Sequence, residues 1–425
     1  GCAKSHAPVP MIENLVVQKG SHPGSITTEV TLKKSEILNR EFLYGADLQY
    51  SSIGDVQLSL ITQVMALGHF DATFRLIQAN SAGGKTKLQL VANQQAYFES
   101  DINHPERLIH EFNVIGETQR TVTIEIENGS PILTTLLTGG DAEAPRSSWV
   151  RSVDYDPAGN YLMFETSIED SKGNVLEFME SVFPRETLVP QGFEKALPLL
   201  LDDPDREPLA QRYRFLSSSP VFLDLAGAGR VQTKPVNRYL FDGSQFKDPI
   251  EWYVTPNVPD RYLADLKAGL EGWNRYSQAF WGVDIVRFAG RLPKSIKMGD
   301  PRYNVINWDT VDDADAAYES QSADPRTGLQ SHGLIYLPSS WLSVGRTFWE
   351  QGRLSHAHAR DARGPKLSGI LGQPIPVHCT RDTSSAVSLV ARDKAEVFAR
   401  ELLKGVIFHE VGHALGLNHN FKASL

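Results

Sequence analysis

His409-Glu410-Val411-Gly412-His413-Ala414-Leu415-Gly416-Leu417-Asn418-His419 has the pattern H-E-x-x-H-x-x-G-x-x-H. Each fixed identity has a chemical reason. His409 and His413 are four apart, so on a helix their imidazoles lie one turn apart on a single face. Two imidazoles so placed can bind one Zn²⁺ and leave room for further ligands. Glu410 lies toward the same cleft, where it can accept a proton from a water activated by the metal. Gly416 allows the left-handed residue that ends a helix, and the returning chain brings up His419 as a third ligand. Three protein ligands leave one position open, which is the catalytic rather than the closed structural arrangement.

Working outward, the helix begins near Ala391. Phe398, Leu402, Val406 and His409 form one stripe, and Leu403, Ile407 and Val411 form the next. A helix apolar on two adjoining faces is a buried helix. The motif resembles that of the metzincin superfamily of zinc endopeptidases. The longer run HEVGHALGLNHNFKAS, His409 to Ser424, is similar to a bacterial group of secreted or envelope zinc-dependent metalloproteases with a large N-terminal β-rich region. The resemblance implies Zn²⁺ held by His409, His413 and His419, Glu410 as general base, and a protein or peptide as substrate. It also implies a methionine-containing turn downstream of the third histidine. All five methionines, Met298 being the last, precede the motif. The expectation is therefore a catalytic domain truncated after the third ligand, either a fragment of a longer protein or one completed by another chain.

The remaining composition narrows the classes. Net charge is −9 with no long basic run, so nucleic acid is not a partner. No apolar stretch reaches the length of a membrane span. The two cysteines, Cys2 and Cys379, make neither a disulfide framework nor a zinc-ligand pair. Gly1-Cys2 resembles the end of a bacterial lipoprotein signal. Lipid on Cys2 would attach the chain to a membrane in the bacterial cell envelope, with residues 1–24 as a tether. The alternative is a chance terminal cysteine on a secreted protein. No sequence feature specifies an oligomeric state.

Residues 25–240 read as a β-rich domain. Ile26 to Leu32, Phe74 to Ile77, Lys87 to Val91, Thr121 to Glu127, Tyr161 to Ile168 and Val175 to Val182 alternate apolar and polar. Such alternation implies antiparallel sheet with one wet face, and Asn128-Gly129 is a hairpin-type turn signal. His69, His104 and His110 occur singly and receive no role; Asp202 to Pro208 reads as a solvated loop. Residues 241–425 read as the peptidase domain, with a boundary near Phe241 to Ser244. Strands are expected at Ile250 to Val254, Val283 to Phe288, Asn304 to Trp308 and Gly333 to Leu337. A helix starts at Asp260, with Leu263, Leu266, Leu270 and Trp273 as core. The resemblance makes the fourth strand an edge that pairs with extended substrate, and Asp324 to Gly328 a turn that positions it. Residues 342–388 form a long connection, in which His356, His358, His378 and Cys379 receive no role.

The fold expected is thus α+β: an N-terminal antiparallel β-rich domain, then a metzincin-like α/β catalytic domain of mixed sheet plus active-site helix. The function expected is zinc-dependent endopeptidase. Its alternative is an envelope-anchored binding module, or an inactive fragment, with a vestigial zinc site.

Overall fold

The computed structural model describes residues 8–51, 64–78, 84–93, 106–133, 147–169, 173–190, 199–200, 222–223, 232–234, 239, 248–310, 317–351 and 395–417. Ten antiparallel strands make the larger unit: β1 (Ile12–Lys19), β2 (Ile26–Lys33), β3 (Glu41–Ser51), β4 (Met65–Ile77), β5 (Lys87–Asn93), β6 (Glu106–Glu117), β7 (Thr121–Ile126), β8 (Ser147–Asp156), β9 (Tyr161–Glu169) and β10 (Val175–Pro184). Their order is β1-β2-β7-β6-β5-β4-β3-β10-β9-β8, and a further pairing of Ile26 with Val150 joins β8 to β2. The sheet therefore closes on itself as a nine-strand barrel, with β1 lying outside it on β2. Alternation explains each wall. In β7, Val122, Ile124 and Ile126 point inward while Thr121, Thr123 and Glu125 face outward. One apolar core fills the barrel, with Phe42, Tyr44, Phe74, Phe112, Phe164 and Phe178 as its largest members.

The α+β expectation is corrected by this architecture. The described residues are mostly β, dominated by a closed antiparallel barrel and with few helices, rather than a β-rich domain followed by a metzincin-like α/β domain. Alternation specifies two faces of a strand but not whether the sheet closes. Closure here follows from long-range pairing and from bulges, at Gly45/Asp47, Leu90/Val91, Val114/Gly116 and Val150/Ser152, which increase the local twist.

One end of the barrel is plugged by the chain after β7. Asn128-Gly129 does not form a hairpin there; it leads into a short helical turn whose Ile132 and Leu133 are fully buried in the core. The plug is tied to Glu180 of β10, which has no exposed surface. Glu180 accepts hydrogen bonds from Ser130 N–H (3.1 Å), Tyr44 Oη (2.8 Å) and Thr166 Oγ1 (2.7 Å). Burial pushes its carboxyl from 4.5 up to about 7, against the lowering effect of those donors. The folded state thus holds this proton more tightly than the unfolded chain. The resulting stabilisation is fully present below about pH 4.5 and is lost as pH rises to about 7, a span worth at most about 3 kcal/mol. Glu180→Gln removes it. Denaturant unfolding of wild type and variant should show a stability difference that changes by about 2 kcal/mol between pH 5 and pH 8. Parallel pH profiles would mean that this carboxyl does not titrate in that range.

Three short strands, β11 (Leu199–Leu200), β12 (Phe222–Leu223) and β13 (Gln232–Lys234), form a small antiparallel sheet. The second large sheet has five strands: β14 (Ile250–Val254), β15 (Val286–Arg291), β16 (Asn304–Asp309), β17 (Tyr318–Ala323) and β18 (Gln330–Pro338), in the order β15-β14-β16-β18-β17. All neighbours are parallel except β17, which runs antiparallel to β18. The strand around Gly333 to Leu337 is therefore interior, and the edge is β17. Its sequence, Tyr-Glu-Ser-Gln-Ser-Ala, has little strand character, and β18 supplies its pairing. Single-turn helices α1 (Lys34–Ile37) and α2 (Arg185–Leu188) belong to the barrel. Helices α3 (Asp260–Glu271), α4 (Asn274–Trp281), α5 (Ser340–Gln351) and α6 (Ala395–Ala414) accompany the five-stranded sheet. Helix α5 occupies part of the stretch expected to be a bare connection. The other residues of that stretch lie outside the described set, as do Cys2, His104, Asp202 to Pro208, the boundary near Phe241 to Ser244, His356, His358 and His378.

The barrel covers the sheet face that the helices leave open. Val64, just before β4, and Ala66 of β4 pack with Leu292, Val305 and Leu334. Tyr318 Oη donates to the Val64 carbonyl (2.9 Å), and Ala66 N–H donates to Ser320 Oγ (2.9 Å). Charged groups cross the same junction. Arg185 grips Asp324 through Nε–Oδ1 (2.7 Å) and Nη2–Oδ2 (2.9 Å) with both side chains buried. Arg326 bridges Asp71 and Glu41. His332 Nε2 lies 2.6 Å from Asp47 Oδ2, and its Nδ1 contacts the Tyr303 carbonyl. Burial lowers the His332 value, but Asp47, with the Tyr303 carbonyl and Asp300, more than offsets this and holds it above 6.5. His69, buried nearby, is pulled down to about 3 by burial and then by the charge of His332.

Candidate metal centre on the last helix

Helix α6 carries His409, Glu410 and His413 in its final turns. It is clamped on two sides. Leu266 and Leu270 of α3 and Trp341 and Leu342 of α5 share one buried cluster with Leu402, Leu403, Ile407 and Val411. Arg400 Nε reaches the buried Asp265 of α3 at 2.7 Å. Trp273, just after α3, stacks on Phe408 with centroids 4.4 Å apart and planes at 2°, and its Nε1–H donates to the Phe408 carbonyl at 2.7 Å. The indole lies so close that a Cβ at Gly412 would sit 2.7 Å from Trp273 Cζ2. Glycine at 412 is thus required by the packing that holds the turn carrying His409 and His413.

The end of the helix is a Schellman motif. Gly416 takes φ 93°, Leu417 N–H donates to Gly412 O (3.0 Å), and Gly416 N–H donates to His413 O (2.8 Å). The motif turns the chain so that the Leu417 carbonyl faces His413 Nδ1 at 2.7 Å. Nδ1 must be the protonated nitrogen to donate to that carbonyl, which makes Nε2 the acceptor nitrogen of the ring. Burial lowers the His413 value below 6.5, with the Leu417 carbonyl opposing, so the neutral form, the one that can bind a metal, is favoured.

His413 Nε2 faces His409 Nε2 at 2.9 Å, with the two rings at 82° and centroids 4.6 Å apart. Two nitrogens bound at about 2.05 Å to one tetrahedral ion would stand about 3.3 Å apart, so the pair fits a shared cation with a small opening. His409 is exposed and Glu410 is 1% exposed, so the pair opens toward solvent while the carboxylate is held inside. The third expected ligand, His419, lies outside the described residues. Among the described residues no three His, Cys, Asp or Glu side chains form a metal-binding group.

Two residues of the site were not legible in the sequence. Gln321 of β17 donates its amide to the His413 carbonyl at 2.6 Å, tying the edge strand to the ligand turn. Glu319, two residues earlier on the same face, has its Oε1 enclosed. Burial holds Glu319 well above the ordinary carboxyl value; the Gln321 hydrogen bond opposes and the Glu410 charge adds to the rise. Only recognition of β17 as a strand would have pointed to them. Trp273 was expected as core, and its donor role depends on the approach of α6. The Asp324 to Gly328 turn forms as expected, with Gly328 at φ 72° and Asp324 accepting from Thr327 N–H and Oγ1, but it positions β18 against the barrel as well.

A family model described as Met-zincin matches residues 391–425. That segment, which contains α6 and its terminating turn, is related to a zinc metallopeptidase-like family. No curated protein and no solved structure matches the chain.

Proposed function

We propose that the chain is a zinc-dependent endopeptidase that hydrolyses peptide bonds of protein or peptide substrates. The observation that carries this reading is the convergence of His409 Nε2 and His413 Nε2, with the His413 tautomer fixed by Leu417 and a buried carboxylate, Glu410, between them in sequence. His409 and His413 would hold the zinc, with His419 proposed as the third ligand. Zinc in such a site polarises a carbonyl and lowers the pKa of water to about 7. The rest falls to the chain. Glu410, anchored on the rigid helix, takes the proton of the attacking water and delivers it to the leaving amine. Trp273 and Gln321 hold the two ends of the ligand-bearing turn through the Phe408 and His413 carbonyls.

The test is casein hydrolysis by the chain before chelation, after chelation and after zinc is restored, with bound metal measured in parallel. The expected result is activity abolished by chelator and recovered on adding about one zinc per chain. Stoichiometric zinc with no chelator-sensitive hydrolysis would overturn the peptidase reading and favour a binding module with a vestigial site.

A further inference from the structure

We propose that β1 is a self-association surface on which a second copy of this chain docks by antiparallel β1–β1 pairing about a two-fold axis through Val16. Among the described residues β1 pairs only with β2. It is the one strand of the large sheet left outside the closed barrel, and most of it faces solvent: Val16 is 39% and Val17 50% exposed, and Glu13, Asn14, Gln18 and Lys19 are exposed too. An open strand edge of this length is a template for another strand.

The direction of the backbone groups sets which register is allowed. Gly20 donates its N–H to the Ser25 carbonyl, and the ladder continues with Gln18 opposite Thr27 and Val16 opposite Glu29. In an antiparallel pair the residues alternate in the edge they address. Val16 and Gln18 therefore address β2, and Leu15, Val17 and Lys19 direct their N–H and C=O groups away from it. A partner strand must oppose odd residues with odd residues. In the register where residue i of one copy opposes residue 32 − i of the other, Leu15 meets Val17 and Val17 meets Leu15 through backbone hydrogen bonds. Asn14 then faces Gln18, Glu13 faces Lys19, and Val16 faces its own copy. Every pair is matched in kind: charge with opposite charge, amide with amide, aliphatic with aliphatic. Sliding by two residues in either direction sets Glu13 against Val17 or Lys19 against Leu15.

This self-matching identifies the occupant. Charged residues on an edge strand ordinarily discourage pairing; here Glu13 and Lys19 are satisfied together by a second copy and left opposite unlike residues by an unrelated strand. The bulge between Ile12 and Asn14 takes Glu13 out of the regular ladder, although pairing with β2 continues at Ile12 and Met11, so the regular segment offered to a partner is short, with Glu13 and Lys19 at its ends, and the dimer is weak.

Sedimentation equilibrium of the full chain at concentrations up to about 100 μM should show a reversible monomer–dimer equilibrium. Lys19→Glu or Glu13→Lys alone turns two symmetry-related attractions into repulsions and should weaken association about tenfold. The double swap, Glu13→Lys with Lys19→Glu, should restore it. Independently, in a chain with Cys2→Ser and Cys379→Ser, Val16→Cys should cross-link two chains on mild oxidation. A non-hydrogen-bonded pair on the axis brings its Cα atoms to about 4.5 Å, within disulfide reach. Asn14→Cys, opposite Gln18, should not cross-link. A chain that stays monomeric with no Val16→Cys cross-link overturns the proposal, as does a dimer indifferent to the charge swaps.

Discussion

Arg185→Ala is expected to lower the stability of the folded chain by about 3–5 kcal/mol. Arg185 and Asp324 form a two-pronged ion pair with 4% and 0% of their side chains exposed. The pair joins the barrel, through α2, to the turn before β18. Removing the guanidinium leaves Asp324 buried with only Thr327 N–H and Oγ1 as donors, and an uncompensated buried charge costs far more than the intact pair contributes. The sign with pH follows. Burial raises the Asp324 carboxyl but Arg185 and Thr327 more than offset it, so its folded value lies below 3.8. The stabilisation is present above that unfolded value and is lost as pH falls through the lower folded one. The variant should therefore be less stable at pH 7 and show a flatter acid limb. Chemical denaturation of Arg185→Ala, Asp324→Ala and the double variant would measure this. The double variant should cost much less than the two singles summed; additivity, or a loss below about 1 kcal/mol, would mean that the pair does not clamp the two sheets.

The cost of breaking that pair bears on how the barrel and the site are linked. The barrel lies on the sheet face opposite α6, and β17 touches both: Ser320 and Tyr318 bond to β4 on one side, and Gln321 bonds to the ligand turn on the other. Alternation in one edge strand sends successive residues to the two faces. A barrel pulled away from β17 would disturb the strand that supports His413.

How much of this was legible follows from which interactions are local. The His409–His413 spacing, Glu410 beside it and the helix stop at Gly416 are set within one helix and its cap, and the structure brings the two imidazoles together, buries Glu410 and ends the helix at Gly416. Strands Ile26–Lys33, Lys87–Asn93, Thr121–Ile126 and Ile250–Val254 declare themselves by alternation or by apolar runs. Barrel closure does not, since Ile26 and Val150 meet only through the global path of the sheet. The edge strand β17 was hidden because Glu319, Ser320, Gln321 and Ser322 are polar on both faces. One face meets the barrel through hydroxyls, and the other bonds α6 through the Gln321 amide, with the Glu319 carboxyl feeling the Glu410 charge. Its strand character is imposed by tertiary contacts rather than propensity. Buried charges such as Arg185 and Asp324 read as loop residues until their partners, 139 positions apart, are brought together.

Glu410→Gln is expected to reduce peptide hydrolysis by roughly 10²–10⁴-fold while bound zinc stays unchanged. The amide has the volume of the carboxyl, and Glu410 sits at 1% exposure against α6's neighbours, so the substitution neither opens a cavity nor overfills one. What it removes is the capacity to accept a proton. The two imidazole nitrogens that face each other at 2.9 Å are not touched, and neither is the Nδ1 contact of His413 with Leu417. His413→Ala separates the two roles from the other side, because it deletes a ligand and should lower zinc content along with activity. The comparison is decisive in both directions. Near-normal turnover in Glu410→Gln with full metal would remove Glu410 from the role of base. Loss of zinc in Glu410→Gln would make the carboxylate a support for the ligand turn, and the measured rate would then say nothing about proton transfer.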